Sequence, residues 1–165
     1  MDHTKRMMIE IADYQDPCHR AGIIKLMTAY ALDPMGGGEA LSDDVLNNLC
    51  DALAGEAGAV TLLAFDKAKP VALLTALRGF STFKCQPLLN IHDVMVLPEY
   101  RGQGLSVQMI AKLEDYARSR NYCKLTLEVL ANNAVAQRVY RHCGFAPYEL
   151  DPLQGAATFW QKSLA

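Results

Sequence analysis

Residues 94–107 read VMVLPEYRGQGLSV, which is an apolar strand, a turn with two glycines and the beginning of a helix. Such a segment binds anions, because the first N–H groups of a helix are unpaired and the helix dipole places partial positive charge beside them. Glycines let phosphate oxygens approach the backbone closely, and Arg101 adds a guanidinium that suits phosphate. The stretch therefore predicts a phosphate site between a strand and a helix.

Two widespread phosphate-binding motifs differ from this loop at defined positions. A P-loop has lysine and then serine or threonine after its last glycine, whereas Leu105 and Ser106 follow Gly104. The dinucleotide fingerprint has a third glycine where Val107 stands. A nucleoside triphosphatase is therefore disfavoured, and a nicotinamide-binding protein remains a distant alternative that a titration with NADH would test.

The hydrophobic pattern on both sides of the loop predicts an α/β fold. Three strands are predicted at 59–65, 71–77 and 88–96, and a polar turn joins the first two, which favours an antiparallel meander. An amphipathic helix from Ser106 to about Arg120 connects the third of them to a strand at 124–129. A strand–helix–strand connection favours a parallel pair, which we expect at the centre of the sheet.

Further elements are predicted towards both ends of the chain. Helices should follow the capping residues Asp16 and Ser42, and another should precede Gly144. The helix before Gly144 is expected at 134–142, and the remaining expected elements are a short strand at 8–14 and closing strands at 145–149 and 157–163. The sequence therefore predicts a single domain of residues 1–165, with a mixed, mostly antiparallel sheet of six to seven strands and about four helices.

Composition excludes several classes of protein. The chain has 165 residues, of which 51% are hydrophobic, and this is typical of a packed globular protein. A formal net charge of -2 and the absence of a Lys/Arg run disfavour nucleic acid as a partner. Five cysteines without a C-x-x-C pair indicate free thiols in the cytoplasm and no metal site. No stretch suits a membrane span, so we expect no membrane partner.

Two blocks of the sequence resemble the GNAT acetyltransferases. The first, RGQGLS at 101–106, is similar to the family loop [Q/R]-x-x-G-x-[G/A], with serine at the last, small position. The second follows the strand at 125–129 and is similar to the family pattern of N-x-x-A, a tyrosine four residues later, and G-F. Its residues here are Asn133, Ala136, Tyr140, Gly144 and Phe145. Both blocks occur in the family order, and the resemblance extends over about residues 59–163.

The resemblance implies a site for acetyl-coenzyme A (acetyl-CoA). In the family, the loop amides hold the pyrophosphate, and here that loop comprises Arg101, Gly102, Gln103, Gly104, Leu105 and Ser106. The family also splays its central parallel strands, so that the pantetheine arm pairs with the backbone of one strand, which here is Val94, Met95 and Val96. An N–H of Val94 or Met95 would polarise the thioester carbonyl. The resemblance also adds Asn133, Ala136 and Tyr140 to the cofactor set.

Acetylation of an amine needs a protonated thiol as leaving group and a neutral amine as nucleophile. Similar enzymes use the tyrosine of the second block to protonate the thiolate, so Tyr140 is the predicted general acid. The alternative is a core aromatic residue. No cysteine lies in a recognisable nucleophile setting, and this favours direct attack by the amine in a ternary complex over a covalent acetyl-enzyme.

His92 is the predicted general base. Strict alternation would place it on the same strand face as Asn90, Val94 and Val96, and histidine exchanges protons near neutral pH. Polyamine acetyltransferases have a similar segment, with a glutamate–aspartate pair where His92 and Asp93 stand, and their glutamate serves as base. A structural role for His92 is the alternative, and Glu128 is a second candidate base.

The expected function is transfer of an acetyl group to a primary amine of a small molecule or peptide. In similar enzymes the segments at 33–41 and 151–157 wall the acceptor site, and their acidic residues Asp33, Glu39 and Asp151 suggest a cationic amine. The alternative function is a non-catalytic acyl-CoA sensor or interaction module with the same fold. A homodimer is compatible with either function.

Overall fold

The computed structural model describes residues 7–149, 151, 153 and 155–164. It contains four helices and five strands within those residues. In chain order they are β1 (Met8–Ile11), α1 (Pro17–Leu32), α2 (Asp43–Gly55), β2 (Val60–Asp66), β3 (Lys69–Ser81), β4 (Gln86–Val96), α3 (Leu105–Ser119), β5 (Leu125–Leu127) and α4 (Ala134–His142). Short 3-10 turns at Pro34–Gly36 and Pro98–Tyr100 follow α1 and β4.

The five strands form one mixed sheet in the order β1-β2-β3-β4-β5. Neighbours are antiparallel except β4 and β5, which are parallel. The predicted α/β fold, antiparallel meander and parallel pair are therefore confirmed. The pair lies at one end of the described sheet, however, and not at its centre as predicted. Strand β5 pairs with β4 only from Leu89 to Ile91. Beyond Ile91, β4 has a strand neighbour only on its β3 side among the described residues, so one edge of residues 92–96 is open.

The predicted count of six to seven strands is wrong for the described residues. Residues 145–149 and 157–163 are not strands, and in this part of the described chain there is only one isolated bridge, between Glu149 and Ala156. A strand needs a continuous ladder of backbone hydrogen bonds, and Pro147 lacks the N–H for one. Phe159 and Trp160 remain 73% and 85% exposed, so their apolar pattern is not buried against a sheet.

Helices α1 and α2 cover one face of the sheet. Ile23 and Leu26 of α1 pack with Cys50 of α2 against Leu63 and Leu73 of the central strands. Helix α3 contacts β2, β3 and β4, and its apolar stripe lies against the sheet: Leu105, Met109, Ile110, Leu113 and Ala117. Because neighbouring residues of a strand point to opposite faces, the helices on both sides bury the nearly continuous apolar runs of β2 and β3.

The chain forms two compact units, of which the first ends at Leu127 and the second begins at Glu128. The sheet with α1, α2 and α3 belongs to the first unit, and α4 belongs to the second. In the described part of the chain, no helix has the length and apolar character to cross a membrane. The prediction of a single domain stays a prediction.

Candidate functional site

The loop before α3, residues 101–106, has the geometry of an anion site, and we call it the phosphate loop. Gly102 and Gly104 both have a φ of 74°, a left-handed conformation that favours glycine. The first bond within the helix runs from the Gln108 N–H to the Gly104 carbonyl over 3.1 Å. Among the described residues, the N–H groups of residues 102–107 have no hydrogen bond acceptor. They form a group of free donors at the positive end of a helix dipole.

The side chain of Arg101 points back into the protein. Its Nε donates to the Val96 carbonyl over 2.9 Å, and its Nη2 donates to Asp33 Oδ2 over 2.8 Å. Two of its donor atoms are therefore engaged by the protein. Only Nη1 of this guanidinium has no acceptor in the described part of the chain, so the backbone amides offer more donors for phosphate than Arg101 does.

Strand β4 has backbone groups along its open edge that no other described residue pairs with. The Leu97 N–H donates to the Val71 carbonyl of β3 over 3.0 Å. Because backbone groups alternate between the two edges of a strand, Met95 also faces β3, and Val94 and Val96 face the open edge. Met95 therefore does not present backbone groups to this edge, contrary to the prediction. Arg101 holds the Val96 carbonyl, so the groups that remain are the Val94 N–H, the Val94 carbonyl and the Val96 N–H.

A β-bulge interrupts β4 at His92. Ile91 pairs with Ala76 of β3 and Asp93 pairs with the next residue, Thr75, so His92 is the additional residue. Such an insertion reverses the alternation of side chains beyond it. The prediction that His92 shares a face with Asn90, Val94 and Val96 is therefore wrong, because the bulge separates Asn90 from the two valines. His92 itself is exposed, and its role as base stays a prediction.

Helix α4 brings together the residues of the second sequence block within the second unit. The Asn133 side chain caps the helix by accepting from the Ala136 N–H over 3.1 Å, as its position predicts. The Tyr140 ring packs edge-on against Phe145, with centroids 6.0 Å apart. The Tyr140 carbonyl accepts from the Phe145 N–H over 2.9 Å. These contacts fix the helix end that carries Tyr140.

Comparison with known families decides between the phosphate-binding classes. Residues 23–145 match the model described as "Acetyltransferase (GNAT) family". The chain belongs to the GNAT family. The match includes the phosphate loop, the open edge of β4 and the whole of α4, so the elements of the candidate site are GNAT elements.

Curated GNAT relatives are similar to parts of the chain. Streptothricin acetyltransferase of Streptomyces lavendulae is 38% identical over 78 residues, or 46% of this chain and 41% of that protein. Thialysine N-epsilon-acetyltransferase of Bos taurus is 35% identical over 66 residues, or 40% of this chain and 38% of that protein. The chain thus aligns with less than half the length of these two acetyltransferases.

A solved structure shares the fold over nearly the whole chain. It is that of AAC(6')-Iy in complex with the bisubstrate analog CoA-S-monomethyl-acetylneamine, and its TM-score is 0.75. The alignment covers 96% of this chain and 99% of that chain at 16% identity. At this identity the likeness shows the GNAT fold alone.

Asp93 is a candidate site residue that the sequence prediction did not include. Its pairing with Thr75 places it on the face of the sheet that α1 and α2 cover, since Thr75 lies two residues from Leu73 of the core on that face. In the described part of the chain, no donor lies within hydrogen-bonding distance of its carboxylate. Burial raises the pKa of Asp93, and the nearby His92 opposes this rise. Its position next to His92 could have indicated a place in the site. The assumed strict alternation of the strand, however, put Asp93 on the sheet face opposite His92.

The carboxylate of Asp93 also affects the pKa of Tyr30, which lies on α1. Burial raises the pKa of Tyr30, and the negative charges of Asp93 and Asp33 raise it further. The carboxylate of Asp33, however, already accepts from Arg101, and this hydrogen bond lowers the pKa of Asp33. The suggestion that Asp33 receives a cationic amine is therefore not supported, because a cation of the protein occupies its carboxylate. Asp93 is the better candidate for that role.

Asp93→Asn is expected to stabilise the folded protein at neutral pH. Because folding raises the pKa of Asp93, the folded state disfavours the carboxylate, and this penalty is fully present above the raised pKa and disappears as the pH falls below it. Removing the charge should raise the Tm at pH 7 by about 2–4 °C, the shift that about 1 kcal/mol produces in a domain of this size. Thermal melting from neutral to acidic pH, where the gain should vanish, is the measurement.

Asp115→Asn is the matched control, since Asp115 lies exposed on α3 and should leave the Tm nearly unchanged. A lower Tm for Asp93→Asn at pH 7 would show that the carboxylate has a stabilising partner. Asp93 would then be rejected as the residue that receives a cationic amine.

Proposed function

We propose that the chain is an acetyl-CoA-dependent N-acetyltransferase that moves an acetyl group to a primary amine of a small molecule or peptide. One observation carries this proposal: the free N–H groups of the phosphate loop directly follow a strand whose edge is open at Val94 and Val96. A loop of donors suits a pyrophosphate, and an open strand edge suits the amides of a pantetheine arm. Acetyl-CoA combines both chemical groups.

The phosphate loop leaves room for the phosphates of this ligand at Gly102. A Cβ built at Gly102 meets no atom within 4 Å, so the space above the loop is open to phosphate oxygens. The proposed pyrophosphate donors are the amides of Arg101, Gly102, Gln103, Gly104, Leu105 and Ser106. Asn133 and Ala136 are proposed to contact the pantetheine arm, and the cap that Asn133 makes is compatible with that contact.

Transfer requires one bond to form and one to break. The amine nitrogen attacks the thioester carbon while the Val94 N–H polarises the carbonyl oxygen, and the carbon–sulfur bond then breaks. We assign Tyr140 to protonate the departing sulfur. The ammonium proton that must leave before attack is assigned to His92, and Asp93 is a second candidate acceptor for it. The proton that the nitrogen loses after addition is assigned to Tyr140, which restores its hydroxyl. Because every step uses the bound amine directly, no acetyl-enzyme is needed.

The acceptor is proposed to be a cationic amine in its free state. The Asp93 carboxylate, which has no hydrogen bond donor among the described residues and raises the pKa of Tyr30 on α1, suits a group that arrives as an ammonium ion. The names of the two curated relatives, a streptothricin and a thialysine acetyltransferase, support an amine acceptor. We propose a cytoplasmic location on the basis of the free cysteines.

Thiol release measured across a panel of amines separates the enzyme from the sensor. The panel contains polyamines, amino acids, aminoglycosides and peptides with free N-termini, each incubated with acetyl-CoA. An enzyme releases CoA thiol above the rate without acceptor, in proportion to acetylated amine. For a sensor, calorimetry would show that CoA binds, but no amine would cause thiol release above background. This result would refute the catalytic proposal.

His92→Gln is expected to lower kcat/KM mainly near neutral pH. At high pH more of the acceptor amine is already neutral, so a base is no longer needed and the deficit should disappear. A pH profile of kcat/KM with the best acceptor of the panel is the measurement. His142→Gln, at the end of α4, is the control for the loss of a surface imidazole. A deficit of equal size at every pH would make His92 a structural residue.

A further inference from the structure

Asp33 and Arg101 are distant in sequence but meet where the phosphate loop begins. The guanidinium of Arg101 bridges two elements, since its Nε binds the carbonyl of Val96 at the end of β4 and its Nη2 binds Asp33 after α1. The main chain of Arg101 is held as well, because its N–H donates to the Pro98 carbonyl over 3.2 Å. The first residue of the loop is thus fixed by three hydrogen bonds.

Asp33 is itself a fixed anchor. Its N–H donates to the Tyr30 carbonyl over 3.0 Å, and its Oδ1 accepts from the Met35 N–H over 2.9 Å. Its carbonyl accepts from the N–H groups of Gly36 and Gly38 over 2.8 and 3.2 Å. A Cβ at Gly36 would lie 1.9 Å from the Tyr30 carbonyl oxygen, so this corner is tightly closed. The Asp33 side chain is only 20% exposed, whereas that of Arg101 is 49% exposed.

We propose that Asp33 is a positioning residue for acetyl-CoA binding, and that it acts through Arg101 by holding the phosphate loop in its binding conformation. The inference rests on the proposed function, because it concerns the same coenzyme site. A loop whose N–H groups already converge loses less entropy on binding than one that must first become ordered. The segment between α1 and α2, which contains no phosphate motif, would thereby contribute to coenzyme affinity.

If Asp33 hindered coenzyme binding, neutralising it would change the affinity in the opposite direction. If Asp33 competed with the pyrophosphate for the guanidinium, its neutralisation would free Arg101 and tighten coenzyme binding. If Asp33 holds the loop, its neutralisation loosens the loop and weakens binding. We adopt the second role, because Arg101 also binds the Val96 carbonyl and would have to break that bond as well to swing towards a ligand.

Asp33→Asn tests the proposal with coenzyme A itself as the titrated probe. Asparagine keeps an oxygen for the Met35 N–H, so the corner after α1 is preserved while the charge that faces Arg101 is removed. We expect coenzyme A to bind about three- to tenfold more weakly by calorimetry, as for the loss of one partly exposed, charged hydrogen bond. Unchanged or tighter binding would overturn the positioning role.

The chain contains a matched control pair. Arg20 Nη1 binds Asp51 Oδ1 over 2.7 Å and the Tyr14 carbonyl over 2.9 Å, so this arginine also bridges a carboxylate and a backbone carbonyl. Arg20 and Asp33 lie about 20 Å apart along α1 at 1.5 Å per residue. Asp51→Asn should therefore leave coenzyme affinity unchanged. An equal loss for Asp51→Asn would show that neutralising any such pair has this effect, and would also overturn the proposal.

A double-mutant cycle separates positioning from general destabilisation. If Asp33 acts through Arg101, Arg101→Gln should lose at least as much affinity as Asp33→Asn, because it removes the bonds to both Asp33 and the Val96 carbonyl. The double variant should then lose no more affinity than Arg101→Gln alone. Additive losses would contradict the proposal. If Asp33→Asn does not fold, Asp33→Ser takes its place in the titration, because serine also removes the charge and keeps an oxygen for the Met35 N–H. Failure of the unaltered protein to bind coenzyme A would refute the proposed function. If the unaltered protein and Asp33→Asn bind coenzyme A equally well, only the role of Asp33 would be refuted.

Discussion

Replacing Tyr140 with phenylalanine is expected to lower kcat by about ten- to a thousandfold while coenzyme affinity stays the same. The thiolate is a charged leaving group, and without an acid it must depart into a site that offers it no proton. The ring remains in place, because its packing against Phe145 and the carbonyl bond to the Phe145 N–H do not involve the hydroxyl. Single-turnover thiol release and calorimetry measure the two quantities separately.

Tyr122→Phe is the control for this experiment, since it deletes a hydroxyl from the partly buried turn between α3 and β5. It should leave kcat within about twofold of the parent, as for most substitutions away from a reacting centre. A parental kcat for Tyr140→Phe with the best acceptor would remove the general-acid assignment. The family membership would not be affected by that result.

Gly104→Val is expected to weaken coenzyme A binding by about ten- to a hundredfold, through two additive effects. Gly104 has a φ of 74°, and a β-branched residue in that conformation is strained by roughly 1–2 kcal/mol, so the loop would shift. The added side chain would also stand where phosphate oxygens must approach the amides of the first turn of α3. Calorimetric titration with coenzyme A measures the loss.

Gly155→Val provides a control for the strain alone. Gly155 has a φ of 79°, and a Cβ there meets no atom within 4 Å, so the backbone cost is similar and no phosphate donor is nearby in sequence. This variant should melt at a lower temperature but bind coenzyme A as the parent does. If Gly104→Val retained full affinity, the phosphate loop would not be the pyrophosphate site and the proposed function would lose its main support.

Local signals in the sequence were sufficient for most of the helices and for the topology. Asp16 and Pro17 mark the beginning of α1, and Asp33 and Pro34 mark its end, so its bounds follow from capping and from the missing N–H of proline. The parallel pair followed from the helix between β4 and β5. Such features depend on a few neighbouring residues, and no distant contact is needed to predict them.

The bulge at His92 could not be predicted from the alternation of residues. A single additional residue changes the face of every later side chain in the strand, and the apolar run in β4 reads equally well with or without it. For this reason the sequence favoured Val94 as a neighbour of His92, and Asp93 was overlooked. The closing strands failed for a related reason, because a pattern indicates strand propensity and not whether a partner strand is present.

The inward direction of Arg101 is likewise a long-range property. A motif specifies the residue type at a position, whereas Asp33 is a partner from another part of the chain. The motif predicted a cation beside phosphate, whereas in the structure Nε and Nη2 of Arg101 donate to the Val96 carbonyl and to Asp33. Charged residues in loops are therefore better interpreted after their ion pairs have been found.

The open edge of β4 has a further consequence for the protein when no ligand is bound. Unpaired backbone groups on a strand edge are a template for strands of other chains, and such edges promote self-association. Arg101 blocks one acceptor of this edge, the Val96 carbonyl, but the groups of Val94 remain available. A coenzyme that pairs with them would also protect the edge, so purification with coenzyme A should suppress aggregation as well as raise thermal stability.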